Sequence, residues 1–199
     1  MRKALLLLGL AILCALPAQA QEKEKAKDNN EVAISISFPY EMVYEDMTYE
    51  SEIWDLYSGY EPGFRNTRYT ALFGVEYHRF ITKRIKLGGI LSYYGAIEDA
   101  VQPVSDIELG KHYRNNVALM AQARYCYLHT DKWQLYSGVG LGGSMLMGTM
   151  KGTKPTFKPS LAAEAIIFGA EFGPKVPFYW EMVAGNRAVL FRFGLAYKF

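Results

Sequence analysis

The closing run of the chain, Val189-Leu190-Phe191-Arg192-Phe193-Gly194-Leu195-Ala196-Tyr197-Lys198-Phe199, carries a large apolar side chain at every second position counted back from the end. Alternation at period two places Val189, Phe191, Phe193, Leu195, Tyr197 and Phe199 on one face of a strand and Arg192, Gly194, Ala196 and Lys198 on the other. An apolar face that ends in aromatics suits lipid. In lipid a strand survives only inside a closed barrel, because an open edge leaves backbone N–H and C=O groups unsatisfied.

The other end of the chain bounds where such a barrel would stand. Arg2 and Lys3 precede an apolar stretch from Ala4 to Leu16, and Ala18-Gln19-Ala20 supplies small residues for a signal peptidase, so residues 1–20 read as a removable secretory signal. Leu13, before Cys14, is bulky where a lipoprotein site needs a small residue, so the expected mature start is Gln21. Residues 21–30 then read as a charged periplasmic segment and 31–199 as the barrel. No later segment offers the ~18 uninterrupted apolar residues of a membrane helix, so a span has to be made of strands. Of 22 Lys and Arg against 20 Asp and Glu, Arg2 and Lys3 leave with the signal. The mature chain is therefore close to neutral, without the basic stripe that nucleic-acid binding needs. Cys126 is its single cysteine, which excludes an intrachain disulfide.

Punctuation divides the rest into eight strands: Val32 to Phe38, Tyr69 to Phe80, Ile85 to Gly95, Val117 to Leu128, Trp133 to Met147, Ser160 to Gly173, Phe178 to Ala184 and Val189 to Phe199. Outward positions include Tyr69, Phe73, Val75 and Tyr77 on the second strand and Leu119, Tyr125 and Tyr127 on the fourth. On the sixth, Glu164 and Glu171 have opposite parity, so both face inward only if a β-bulge near Gly169 shifts the phase. A two-residue Gly185-Asn186 turn would set Ala184 against Arg187, Met182 against Val189 and Trp180 against Phe191. The odd-length loop His129-Thr130-Asp131 would bring Tyr127 opposite Trp133.

Connections alternate between short, near 81–84, 129–131 and 174–177, and long, near 39–68, 96–116 and 148–159. The expectation is an all-β, eight-stranded antiparallel up-and-down transmembrane barrel with short periplasmic turns and longer external loops. Tyr77, Tyr127, Trp133, Phe172, Phe178, Tyr197 and Phe199 gather at the periplasmic ends, where an interfacial girdle belongs.

Carried by this alternation, by the hairpin from Phe178-Tyr179-Trp180-Glu181 to Gly194-Leu195-Ala196-Tyr197-Lys198-Phe199 and by the terminal aromatic, the chain resembles the small outer-membrane β-barrel proteins of Gram-negative bacteria, porin-family or OmpA/OmpX-like. The resemblance covers about residues 31–199 and implies an outer-membrane location. It also implies that Tyr197 and Phe199 match the aromatic positions read by the barrel-assembly machinery. It says nearly nothing about individual activity, since the fold hosts many.

The inward face carries Glu76, Glu164, Glu171 and Glu181 with Lys86, Arg124, Arg192 and Lys198, accompanied by His78, Gln122 and Gln134. An eight-stranded barrel is wide enough only for side chains to fill, and buried charges persist when paired. The expected reading is an ion-paired plug in a non-enzymatic, structural or surface-interaction protein; a narrow channel or carrier for small solutes is the alternative. The first long connection interleaves acids from Glu41 to Glu61 with Tyr40, Tyr44, Tyr49, Trp54, Tyr57 and Tyr60, but without calcium-loop spacing, so neither metal nor cofactor is expected. Lys151, Lys154 and Arg187 are basic and external, where contact with lipopolysaccharide phosphates is expected. Outer-membrane lipid is the other partner, and a monomer the expected state. The third alternative, a lipid A-modifying barrel enzyme, would need a histidine near the external rim. Only His112, close to Asp106 and Glu108, stands there, and no His-x-Ser element accompanies it. Gly138, Gly140 and Gly142 read as inward glycines that make room for opposing side chains.

Overall fold

The computed structural model describes residues 30–40, 42, 63–101, 107–130, 132–150 and 154–199. These hold nine strands: β1 (Asn30–Pro39), β2 (Gly63–Tyr69), β3 (Leu72–Phe80), β4 (Ile85–Val101), β5 (Glu108–His129), β6 (Trp133–Met150), β7 (Thr156–Phe172), β8 (Phe178–Gly185) and β9 (Ala188–Lys198). Every pairing is antiparallel, and the order β4-β3-β1-β9-β8-β7-β6-β5 closes through β4–β5 into a ring of eight. The ninth strand, β2, continues the line of β3 along β4: Tyr69 pairs with Ala96 and, after a break at Thr70-Ala71, Phe73 pairs with Tyr93. At the seam the two chain ends meet, with Asn30 and Phe199 exchanging backbone hydrogen bonds of 3.1 and 3.0 Å. No described helix is long and apolar enough to cross a membrane.

Polarity is inverted relative to a water-soluble protein. Ile34, Val75, Leu91, Leu119, Leu141, Leu161 and Leu195 are exposed on the outer wall, while Glu76, Lys86, Arg124, Glu171, Glu181 and Arg192 are buried inside. Aromatic side chains cluster on the outer wall toward the end that carries the termini: Trp133 packs edge-on to Phe172 at 4.3 Å, and Tyr197 stacks on Phe199 at 6.1 Å.

The expected bulge on the sixth strand is present, between Ile166 and Phe168 of β7. Ser137 Oγ donates to the Ile167 carbonyl at 2.8 Å there, satisfying a group that a bulge otherwise takes out of the ladder.

Other expectations are corrected. The strands run well past their expected limits: β4 continues to Val101, β5 starts at Glu108, β6 continues to Met150 and β7 starts at Thr156. At ~3.3 Å per residue and ~40° tilt, the 22 residues of β5 rise about 55 Å and the 8 of β8 about 20 Å, against an apolar band of ~25 Å. The end opposite the termini is therefore uneven, high over β4 to β7 and low at the β8–β9 hairpin.

That hairpin is not closed by a two-residue turn. Ala184 pairs with Val189, Met182 with Phe191 and Trp180 with Phe193. Gly185 and Asn186 are drawn onto the neighbouring strand instead: Gly185 pairs with Glu164, Asn186 Oδ1 accepts from Ala163 N at 2.9 Å, and Asn186 Nδ2 donates to the Leu161 carbonyl at 2.8 Å. Because the register moves by two residues, the outward parity of β8 and β9 survives. Among the described residues of these two strands, parity fails only at Leu190, whose φ of 71° sits where β9 shifts against β1 and which faces outward. Tyr127 occupies a bulge and packs on Phe168 at 6.5 Å rather than facing Trp133. Tyr69 turns inward against Leu72 and Tyr94. The secretory signal and most of the first long connection lie outside the described residues.

Candidate functional site: the ion-paired lumen

Inward parity delivers charged side chains from every strand of the ring except β6 into three tiers. Nearest the termini, Lys86 of β4 reaches Glu31 of β1 at 2.7 Å and Glu171 of β7 at 3.0 Å, and Lys198 of β9 also pairs with Glu171. The Lys86 ammonium lies 4.9 Å from the centre of the Phe80 ring, which is stacked on His129. One lysine thus ties β4 to β1 and β7, two and three strands away around the ring.

The middle tier is a continuous chain of charge-assisted bonds. Arg124 of β5 holds Glu76 of β3 at 2.6 Å and Glu181 of β8 at 2.9 Å. Glu181 is shared with Arg192 of β9 at 3.0 Å, and Arg192 grips Glu164 of β7 through Nη2 at 2.5 Å and Nη1 at 3.1 Å. Gln122 Nε2 donates to Glu164 at 2.5 Å, and its Oε1 meets His78 Nε2 at 2.8 Å. Two tyrosines complete the carboxylates: Tyr136 OH donates to Glu181 at 2.7 Å and Tyr179 OH to Glu76 at 2.9 Å. Their rings fit only because glycine faces them. A Cβ on Gly169 would fall 2.4 Å from the Tyr136 ring, and one on Gly194 2.4 Å from that of Tyr179.

Above the ions the lumen turns apolar. Ile90, Ala118, Met120 and Ala162 form one buried layer, and Leu72, Tyr94, Val183 and Ala188 a second. The second joins β4 to β8, which stand four strands apart and so face each other across the ring. Beyond it, Glu98 pairs with Arg114 at 2.5 Å and with His112 at 3.1 Å, and Arg114 Nη2 donates to Tyr69 OH at 3.0 Å.

All eight charged residues singled out for the interior thus lie in the lumen and pair with one another, with Glu31 as an added partner. Glu31 was missed although its parity with Ala33, Ser35 and Ser37 marks it as inward. Glu98, Tyr136 and Tyr179 were missed too; Glu98 sits where the expected strand had already ended. His112 is on β5, not in a loop, and its carboxylate partner is Glu98 rather than Glu108. Among the described residues no cluster of His, Cys, Asp or Glu could hold a metal. Tyr197 and Phe199 are exposed at the closing seam. Of the three basic residues assigned to lipopolysaccharide, Lys154 is exposed and Lys151 lies outside the described residues. Arg187 is corrected: it is 3% exposed and packs over the Tyr94 ring at 5.2 Å, inside the lumen. Drawing Gly185 and Asn186 onto β7 is what turns it inward.

No family model and no curated protein matches the sequence. Among solved structures the fold is similar to the N-terminal β-barrel domain of Pseudomonas aeruginosa OprF, with TM-score 0.44 and 15% identity over 87% of this chain and 100% of that one. It is similar also to Ail, the attachment invasion locus protein of Yersinia pestis, with TM-score 0.40 and 15% identity over 86% of this chain and 99% of that one.

Proposed function

We propose that this chain is an integral barrel of a bacterial outer membrane, sealed by its interior ion pairs and acting through its external end in a structural or surface-interaction role, without catalysis. The observation that carries the reading is the inverted polarity: an outer wall of exposed Leu, Ile, Val and aromatic side chains around a buried, mutually paired set of Glu, Arg and Lys. Such a wall is stable against acyl chains and unstable against water. The termini and short connections would face the periplasm, and the high β4–β7 wall the outside. Tyr197 and Phe199, at the seam that closes last in sequence, are the positions offered to the assembly machinery. Lys154 and Lys151 remain the basic contacts offered to lipopolysaccharide.

A narrow solute path is the weaker reading, because both the bonded middle tier and the Leu72–Tyr94–Val183–Ala188 layer stand across the lumen. Planar-bilayer recording tests the choice. The expected trace shows no steady conductance; steady conductance that is abolished by Arg124→Gln or Glu181→Gln would overturn the sealed reading. On the enzymatic side, lipid A mass spectra should be unchanged by expression of the protein. A change that reverts with His112→Ala would assign the Glu98–His112 pair to catalysis.

A further inference from the structure

Among the described residues, Arg187 is the one cation of the lumen that the ion network does not explain. Arg124 and Arg192 are each held by two carboxylates. Arg187 is equally buried, yet its Nε and Nη2 have no hydrogen-bond partner, and no carboxylate among the described residues pairs with it. These two nitrogens are not an arbitrary pair. They form the side edge of the guanidinium, whose two parallel N–H bonds match the two oxygens of one oxyanion. The opposite requirement, a flat surface behind the fork, is met by Tyr94, whose ring lies 5.2 Å from Cζ and whose hydroxyl accepts from Asn116 Nδ2 at 3.1 Å. Further buried polar atoms without partners, Ser37 Oγ, Ser92 Oγ and Asn116 Oδ1, lie on β1, β4 and β5 at the same end of the lumen. A buried guanidinium without a carboxylate partner is unfavourable, so an anion on this fork would be stabilised.

We propose that Arg187, backed by Tyr94, forms an oxyanion site at the end of the lumen opposite the termini, which takes a single phosphate group. The position fits. Arg187 follows the exposed Asn186 in the low β8–β9 hairpin, and β8 rises about 20 Å, which sets the fork close to the edge of a ~25 Å apolar band. Phosphate there has two sources, a lipid headgroup or a free phosphate in solution. The site rests on the buried fork and not on the sealed reading of the lumen, so steady conductance would leave it standing.

The test uses the full mature chain in detergent micelles, with inorganic phosphate as the probe at constant ionic strength and chloride as the control. The readout is the midpoint of the heat-induced shift in gel mobility. A ligand that binds only the folded state raises that midpoint with concentration. The wild type should show a saturable rise with phosphate and none with chloride. Arg187→Lys, which keeps the charge and loses the fork, should weaken the apparent affinity at least tenfold, and Arg187→Gln should abolish the rise while matching or exceeding the wild-type midpoint in phosphate-free buffer. Coincident curves for the three proteins, an equal response to chloride, or no saturable rise in any setting would overturn the site. So would Arg187→Gln losing as much stability without phosphate as with it, since that marks a purely structural arginine. Nanodiscs of phosphatidylcholine, with and without lipopolysaccharide and without added phosphate, separate the sources. An Arg187-dependent rise only with lipopolysaccharide assigns the headgroup, and a rise only with added phosphate assigns the soluble anion.

Discussion

Replacing Arg124 with methionine removes the guanidinium that joins two walls of the barrel while keeping an unbranched side chain of similar reach. Arg124 makes charge-assisted contacts of 2.6 Å to Glu76 and 2.9 Å to Glu181. The two carboxylates do not lose equally. Glu181 keeps Arg192 at 3.0 Å and the Tyr136 hydroxyl at 2.7 Å, whereas Glu76 is left with the Tyr179 hydroxyl at 2.9 Å and His78 Nδ1 at 4.0 Å. Two charge-assisted bonds at about 1.5–3 kcal/mol each give a loss near 3–6 kcal/mol, which agrees with the ~3–5 kcal/mol expected when one partner of a buried pair is deleted. Arg124→Met should therefore destabilise the folded barrel by about 4 kcal/mol, measured by reversible urea unfolding in lipid vesicles.

The position of the orphaned charge supplies the sharper check. Adding Glu76→Gln to Arg124→Met should restore about half of the loss, because an amide buried without a counter-ion costs far less than a carboxylate. Adding Glu164→Gln instead should restore nothing, since Glu164 answers to Arg192 and not to Arg124. Both carboxylates belong to one network, but the largest coupling falls to the one in direct contact with Arg124, which is Glu76. A loss below about 1 kcal/mol for Arg124→Met, or equal recovery from Glu76→Gln and Glu164→Gln, would refute the assignment of Glu76 as the dependent carboxylate.

Adjacent glycines on β6 should behave oppositely: Gly142→Val puts a Cβ 2.0 Å from the Leu119 carbonyl and should abolish the heat-modifiable folded band, whereas Gly143→Val meets nothing within 4 Å and should leave it intact. Leu141→Arg, on the exposed outer wall at the middle of β6, should cost about 2–4 kcal/mol in lipid vesicles; a neutral result would place that wall in water. Single cysteines at outward positions of β5 should react with a water-soluble maleimide in proteoliposomes at 111 and 113 and resist it at 119 and 121. Uniform labelling along the strand would remove the lipid boundary.

Alternation in sequence arises where the two faces of a strand meet different solvents, and this decides what could be read and what could not. Along β5 the apolar–polar rhythm from Val117 to Tyr125 marks lipid on one side and the lumen on the other, so the inward placing of Gln122 and Arg124 followed from parity alone. From Glu108 to Asn116 the strand continues, paired with β4 as far as Val101 opposite Glu108, but both of its faces are polar in sequence, so no apolar–polar rhythm marks it. The expected strand limits at Gly95, Val117, Met147 and Ser160 therefore fall short of the strand ends, at the points where alternation stops. His112 was illegible for the same reason, and the buried Glu98 because it lies past Gly95, where the alternation of β4 stops. Arg187 was illegible for a different one: parity has no value in a turn, and its direction was set by Asn186 bonding to Ala163 and Leu161 of β7, a contact between residues more than twenty positions apart. The bulge on β7 shows the complementary case. There Glu164 and Glu171 conflicted in parity, and because a carboxylate facing acyl chains costs more than a disrupted ladder, the conflict itself located the bulge within a few residues. Sequence thus reports this fold where a strand alternates between lipid and lumen, and falls silent toward the end opposite the termini, where the buried Glu98 and Arg187 escaped it; that end is also the one left to distinguish this barrel from others of the same fold.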